Sequence, residues 1–256
     1  MTLAPGDAAA SALYDESFYQ NQQDGSATSA QVVVPLFLSH FPCRSVVDFG
    51  CGVGSWLKEF EHNGISDYLG VDGDYVPRHL LRIPADRFLP QDLGGLSDLG
   101  REFDAACSLE VAEHLPQECA ASFVAALVKA APVILFSAAI PFQGGTGHLN
   151  EQWQSYWARL FAEHGYLPLD LLRPVIFGDR RVEWWYRQNI LVFCPPSKCP
   201  LRSAAVSGAY DLDRVDPQMV ANLVSTLHAQ VAATKKLLDR TSALTEAVMA
   251  RRPIKP

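Results

Sequence analysis

Two groups of residues in this sequence have types and spacings that could do chemistry. The first is Asp48-Phe49-Gly50-Cys51-Gly52-Val53-Gly54, where an acid sits at the end of an apolar run and glycines follow at alternate positions. Glycines at such a place let the backbone approach a ligand closely and leave the N-terminus of the next helix facing it. A second acid, Asp72 in Leu69-Gly70-Val71-Asp72, ends the next apolar run, where a carboxylate can accept both hydroxyls of a ribose. The dinucleotide fingerprint needs its last glycine three residues after the second; Gly50, Gly52 and Gly54 do not have that spacing. The second group is Glu110-x-x-Glu113-His114 together with His148 in GGTGHLNEQW. If 110–114 opens a helix, Glu110, Glu113 and His114 share one face at i, i+3 and i+4, and His148 adds a second imidazole. Such a set can remove a proton from an acceptor hydroxyl, with His148 the first candidate base. Asn150 is suited to cap the helix that follows, and Gly144, Gly145 and Gly147 suggest a mobile loop over the site.

The elements that must position these residues alternate in type. Strand-like runs fall at 45–50, 67–73, 103–110 and 132–140, with 167–177 and 189–194 as a closing pair and a weaker strand at 87–93. Between them VGSWLKEFEHNG, QECAASFVAALVKAA and EQWQSYWARLFAEHG carry apolar residues at three- and four-residue spacing. This alternation predicts an α/β domain with a mostly parallel sheet covered by helices on both faces. The boundaries follow: an N-terminal lid and first helix at 1–44, a core at 45–195, and a linker with a helical extension at 196–256. In the extension, Asp216-Pro217 reads as an N-cap followed by proline in the first turn. Met219, Val220, Leu223, Leu227, Val231, Leu237, Leu238, Leu244 and Val248 then form an amphipathic stripe, which can pack on the domain or make a homodimer through the C-terminal helix. Just before the last strand, the segment Glu183-Trp184-Trp185-Tyr186-Arg187-Gln188-Asn189 could stack on a flat acceptor and hydrogen-bond its edges, or could be core packing or a dimer contact.

Composition narrows the function classes. The 256 residues are 48% hydrophobic and 19% charged, an ordinary globular profile. The formal net charge of −7 opposes the phosphate backbone, so DNA is excluded as an expected partner. The charge is uneven, with six basic and two acidic residues from Lys235 to Pro256, enough to touch an acidic partner or simply to solvate a helix face. No apolar run approaches a membrane span, no signal peptide is evident at the N-terminus, and the expected location is cytoplasmic. The six cysteines show no C-x-x-C spacing and support neither a disulfide framework nor a zinc site.

Over residues 45–195 the sequence resembles the class I S-adenosylmethionine-dependent methyltransferases. Asp48 to Gly54 looks like the family's first motif, Asp72 like the acid that holds the ribose, and Gln91-Asp92-Leu93 like the segment beside the adenine. Phe103-Asp104, followed by Ser108-Leu109-Glu110-Val111-Ala112-Glu113-His114-Leu115, is similar to its fourth-strand motif. Tyr14, Phe18 and Tyr19 resemble an N-terminal lid over the cofactor, though as aromatics they could equally be packing. The resemblance implies a Rossmann-like seven-stranded sheet, S-adenosylmethionine as methyl donor with S-adenosylhomocysteine as product, and cofactor contacts from Tyr19, Asp48, Gly50, Gly52, Gly54, Asp72, Asp92, Leu93, Leu109 and Glu110. It places His148, His114 and Glu113 near the transferred methyl, with a small-molecule or glycan hydroxyl as acceptor. One alternative is a metal-assisted RNA 2′-O-methyltransferase, because Glu110, Glu113, His114 and His148 also resemble the divalent-metal site of small-RNA 2′-O-methyltransferases. Another is a non-catalytic cofactor-binding scaffold whose basic tail recruits a partner.

Overall fold

The computed structural model describes residues 16–199 and 211–250, with side chains from Gly25 onward apart from those of 247, 248 and 250. The chain divides into two units after Arg214. The first holds a seven-stranded sheet: β1 (Ser45–Phe49), β2 (Asp67–Asp72), β3 (Phe88–Pro90), β4 (Ala105–Leu109), β5 (Ile134–Ser137), β6 (Leu167–Leu169) and β7 (Leu191–Cys194). Their order is β3-β2-β1-β4-β5-β7-β6, parallel from β3 to β5, with β7 antiparallel to both of its neighbours.

Side chains alternate across the sheet, and each face has its own cover. Val46, Cys107, Leu135 and Val192 pack with α1 (Glu16–His40) and α2 (Ser55–His62), through Val33, Phe37, Leu57 and Phe60. Val47, Ala106, Ile134 and Phe193 point to the other face, against α3 (Ala120–Ala130) and α4 (Gln154–Glu163), through Phe123, Leu127, Trp157 and Phe161. The central strands are buried on both faces, which is why they read as unbroken apolar runs. The strand order reverses between the parallel neighbours β1 and β4, which pair with Asp48 opposite Cys107, so the loops after both strands open into one crevice. In open α/β sheets, ligands bind at this topological switch point.

The expected run at 167–177 is corrected: β6 stops at Leu169, and Arg173–Ile176 form a short helix, α5, with Pro174 in its first turn, where no N–H is needed. Trp184–Asn189 form α6, in which Tyr186 is buried with its hydroxyl on that of Ser26 and its ring edge-on to Trp56. The second unit is α7 (Pro217–Ala250), opened as expected by Asp216, whose Oδ1 accepts from the backbone N–H of Gln218 at 2.8 Å. No helix among the described residues is long and apolar enough to cross a membrane.

Candidate functional site

The loop from β1 to α2 depends on left-handed backbone, with φ of +82° at Gly50 and +85° at Gly54. A Cβ at Gly50 would lie 2.3 Å from Val111 Cγ2, so glycine there serves both the turn and the close approach of the loop after β4. Asp72 reaches back to this loop: its Oδ2 accepts from Gly52 N at 2.7 Å, and its Oδ1 accepts from Gly73 N at 2.7 Å and from the Tyr75 hydroxyl at 3.0 Å. Tyr75, which sequence reasoning passed over, therefore lies beside the acid. Asp48 and Asp72 are both buried at the strand ends. Burial, helped by the charge of Asp72, pushes the Asp48 carboxyl up to about 7. Burial also raises Asp72, against the opposing pull of its backbone N–H donors.

Burying these acids has a measurable consequence. A folded-state pKa raised from 3.8 to about 7 contributes stability that is full below 3.8 and lost as pH climbs to about 7. Ligand-free protein is therefore expected to lose thermal stability between pH 4 and 7, and Asp48→Asn to flatten that slope. Melting curves at several pH values check this; equal slopes for both proteins would contradict it.

Of the other expected contacts, Leu93 is buried, and Asp92 sits on the surface, where its Oδ1 accepts from Gly94 N at 2.9 Å. Leu109 is buried at the end of β4. Tyr14 lies outside the described residues; Phe18 and Tyr19 fall in the first turns of α1, where side chains are not described.

The helical reading of 110–114 is corrected. Glu110 has φ of +57°, which no helix accommodates, and only Ala112–His114 make a single 3₁₀ turn. Glu110 is held by tertiary bonds: its N–H donates to Ser137 O and Oγ, while its carboxylate accepts from Gln143 Nε2 at 2.8 Å and Asn189 Nδ2 at 3.1 Å. Asn189 ends the segment read as an acceptor pocket, but its bond to Glu110, 79 positions away, was not legible in the sequence.

Glu113, His114 and His148 do come together. Each offers one ligand atom, and these lie within 4.8 Å of one another. Glu110 is not part of that set. The imidazoles of His114 and His148 meet edge to face with centroids 4.9 Å apart. Glu113 is completely buried; its carboxylate makes no hydrogen bond of good geometry, and its nearest donors are the backbone N–H groups of Glu113 itself and Ala139. Burial, then the nearby charge of Glu110, drives its pKa well above the ordinary carboxylate value. His114 is pushed down to about 4, by burial first and by His148 second, so it is neutral near pH 7.

The loop carrying His148 is tied to this cluster by its backbone, since the N–H groups of Leu149 and Asn150 both donate to Glu113 O. Asn150 does not cap α4 as expected: that helix starts at Gln154, and the Asn150 amide oxygen accepts from Gln152 Nε2. The arrangement is a recessed group of two imidazoles and an uncompensated acid at the C-terminal end of β4. It is suited to taking up a proton or holding a cation next to the glycine loop.

A family profile described as a methyltransferase domain matches residues 19–172. No curated protein sequence matches the chain. Solved structures do. The sugar N-methyltransferase KedS8 from a Streptoalloteichus species is 19% identical, with TM-score 0.55 over 70% of this chain and 92% of that one. An O-methyltransferase family protein from Burkholderia thailandensis is 15% identical, with TM-score 0.52 over 74% and 62%. Human N-acetylserotonin methyltransferase, solved in complex with SAM, is 14% identical, with TM-score 0.50 over 70% and 55%. At these identities the likeness is one of fold.

Proposed function

The chain belongs to the class I S-adenosylmethionine-dependent methyltransferases, and from that premise we propose that it methylates a hydroxyl of a small molecule or glycan, with His148 as the base. S-adenosylmethionine supplies an electrophilic methyl on a sulfonium. The residues present suit its binding: a cation beside Asp48 would relieve the cost of burying that carboxylate, and Asp72, fixed by Gly52, Gly73 and Tyr75, holds its carboxylate against the glycine loop. Asp48 holds the cationic methionine end, and Asp72 accepts the ribose hydroxyls. Asp72→Ala is expected to weaken S-adenosylhomocysteine binding by about 1.5–3 kcal/mol, the range for hydrogen bonds to a charged group. Calorimetric titration measures it, and unchanged affinity would remove the ribose assignment.

The observation that carries the acceptor assignment is the packing of His148 against His114 and Glu113 beside the end of β4. In-line transfer needs nucleophile and methyl carbon collinear, and an alcohol must also lose a proton. An amine acceptor needs less help, so two imidazoles and an acid in one recess favour oxygen over nitrogen. The test is incubation with S-adenosylmethionine and a panel of glycosides, phenols and matched amines, read by mass spectrometry. Methyl ethers support the reading; products methylated only on nitrogen overturn it.

A second reading is favoured by the two buried oxygens of Glu113, which make no hydrogen bond of good geometry. With the neutral imidazole of His114 and the ring of His148 they make a donor set that fits a divalent cation. A bound divalent ion would acidify an acceptor hydroxyl, as in a metal-assisted 2′-O-methyltransferase. The net charge of −7 argues against a long RNA as the acceptor. One Mn²⁺ bound per chain, with turnover lost to a chelator, supports this reading; turnover in the presence of chelator removes it.

The partner of α7 is proposed to be a second copy of the chain. Leu223, Leu227, Val231, Leu237 and Leu244 are all exposed on its 34 residues. A helix of that length spans about 51 Å, enough for more than four heptads. Deleting 217–250 is expected to shift the protein from dimer to monomer in sedimentation, and an unchanged sedimentation coefficient per unit mass would contradict the assignment.

A further inference from the structure

Outside the residues already assigned, one carboxylate gathers several donors beside the proposed base. Glu151 Oε1 lies 2.8 Å from His148 Nδ1 and accepts from Gly144 N at 2.7 Å, while its Oε2 accepts from Phe142 N at 2.8 Å. We infer that Glu151 is a positioning residue that fixes His148 as its Nδ1–H tautomer, leaving Nε2 as the basic nitrogen of the ring. The catalytic consequence rests on the reading of His148 as the base; the tautomer assignment does not.

A carboxylate can only accept, so the ring nitrogen facing it must carry the proton, and a neutral imidazole then has its lone pair on the other nitrogen. Glu151 is itself held in place by the two backbone donors, and its side chain is 21% exposed against 13% for His148. Those donors come from unusual backbone. Phe142 has φ of +71°, a left-handed conformation that is an outlier for a bulky residue, and Gly144 has φ of +69°. The loop therefore accepts strain at the point where its N–H groups meet Glu151. Gly145 completes the seat: a Cβ there would lie 2.2 Å from His148 Nε2, so any larger residue would displace the ring. The same loop treats His114 in the same sense, with His114 Nδ1 lying 3.4 Å from Gly147 O, an atom that can only accept.

The test starts with the full-length wild-type protein. Long-range ¹H–¹⁵N spectra of histidine-labelled protein, with His148→Gln used to assign the ring, are expected to show Nδ1 protonated and Nε2 pyridine-like. A ring protonated on Nε2 overturns the inference. Glu151→Gln keeps an acceptor for only part of the donor set. It is expected to move the ring toward the Nε2–H form and to lower kcat about 10- to 100-fold, with acceptor KM and S-adenosylhomocysteine affinity within about twofold. Glu151→Asp is expected to restore part of kcat. Should Glu151→Gln instead keep the wild-type tautomer or the wild-type kcat, or lose cofactor affinity along with kcat, the positioning role is refuted in favour of a loop clamp. If the wild-type tautomer is as stated but His148→Ala turns over normally, the base assignment falls and the tautomer assignment stands.

Discussion

His148→Ala is expected to lower turnover by about 10²-fold or more while leaving S-adenosylhomocysteine affinity nearly unchanged, because general-base catalysis contributes about 10²–10⁴-fold. The two effects separate because the elements that carry them separate. The proposed cofactor acids, Asp48 and Asp72, stand at the ends of β1 and β2. His148 belongs to the loop between β5 and α4, where it meets Glu151 and the ring of His114. Truncating it removes a proton acceptor without touching the hydrogen bonds from Gly52, Gly73 and Tyr75 that hold Asp72. Single-turnover kinetics with saturating S-adenosylmethionine, alongside calorimetric titration of S-adenosylhomocysteine, measure both quantities. Equal loss of both would assign His148 a structural role in the loop.

What the sequence disclosed here was what depends on local order. Asp48, the alternating glycines and Asp72 lie within 25 residues, and each feature follows from a strand end or a turn that the chain itself writes. The parallel pairing of β1 with β2 then carries Asp72 to the loop it serves, as the spacing implied. The approach of His148 to Glu113 and His114 was anticipated from residue type rather than from geometry.

Misreadings came where tertiary contacts overrule local pattern. Glu110, Glu113 and His114 have perfect helical spacing, yet Ser137, Gln143 and Asn189 hold Glu110 in a left-handed conformation that ends any helix. The apolar run through Val175 and Ile176 looked like strand, but Pro174 suits the first turn of a helix and Arg173 there is buried on Asp170 and the carbonyls of Gln188 and Leu212. Glu151 went unnoticed because a carboxylate three residues after a histidine resembles any exposed helical pair. Its meaning lies in the backbone donors of Phe142 and Gly144, and no residue pattern announces those.

Glu113→Met is expected to make the ligand-free protein more stable while it loses activity. A fully buried ionisable group whose oxygens make no hydrogen bond of good geometry costs about 1–3 kcal/mol, and a side chain of similar volume without polar oxygens relieves that cost. The surrounding contacts favour such a change: Glu113 is 0% exposed, its neighbours Val111 and Ala112 are buried apolar groups, and the backbone carbonyl that Leu149 and Asn150 use remains in place. In a domain of this size the gain corresponds to a rise in Tm of roughly 2–12 °C. Glu113→Gln should gain less, because its amide still buries polar atoms that methionine lacks. Calorimetric melting of the three proteins at one pH orders them, and a Met variant that melts below wild type would mean that Glu113 is compensated in the free protein. Turnover in both variants is expected to fall, since a carboxylate kept at this cost next to two imidazoles serves the proton or the cation that the reaction brings, and stability is commonly gained where function is removed.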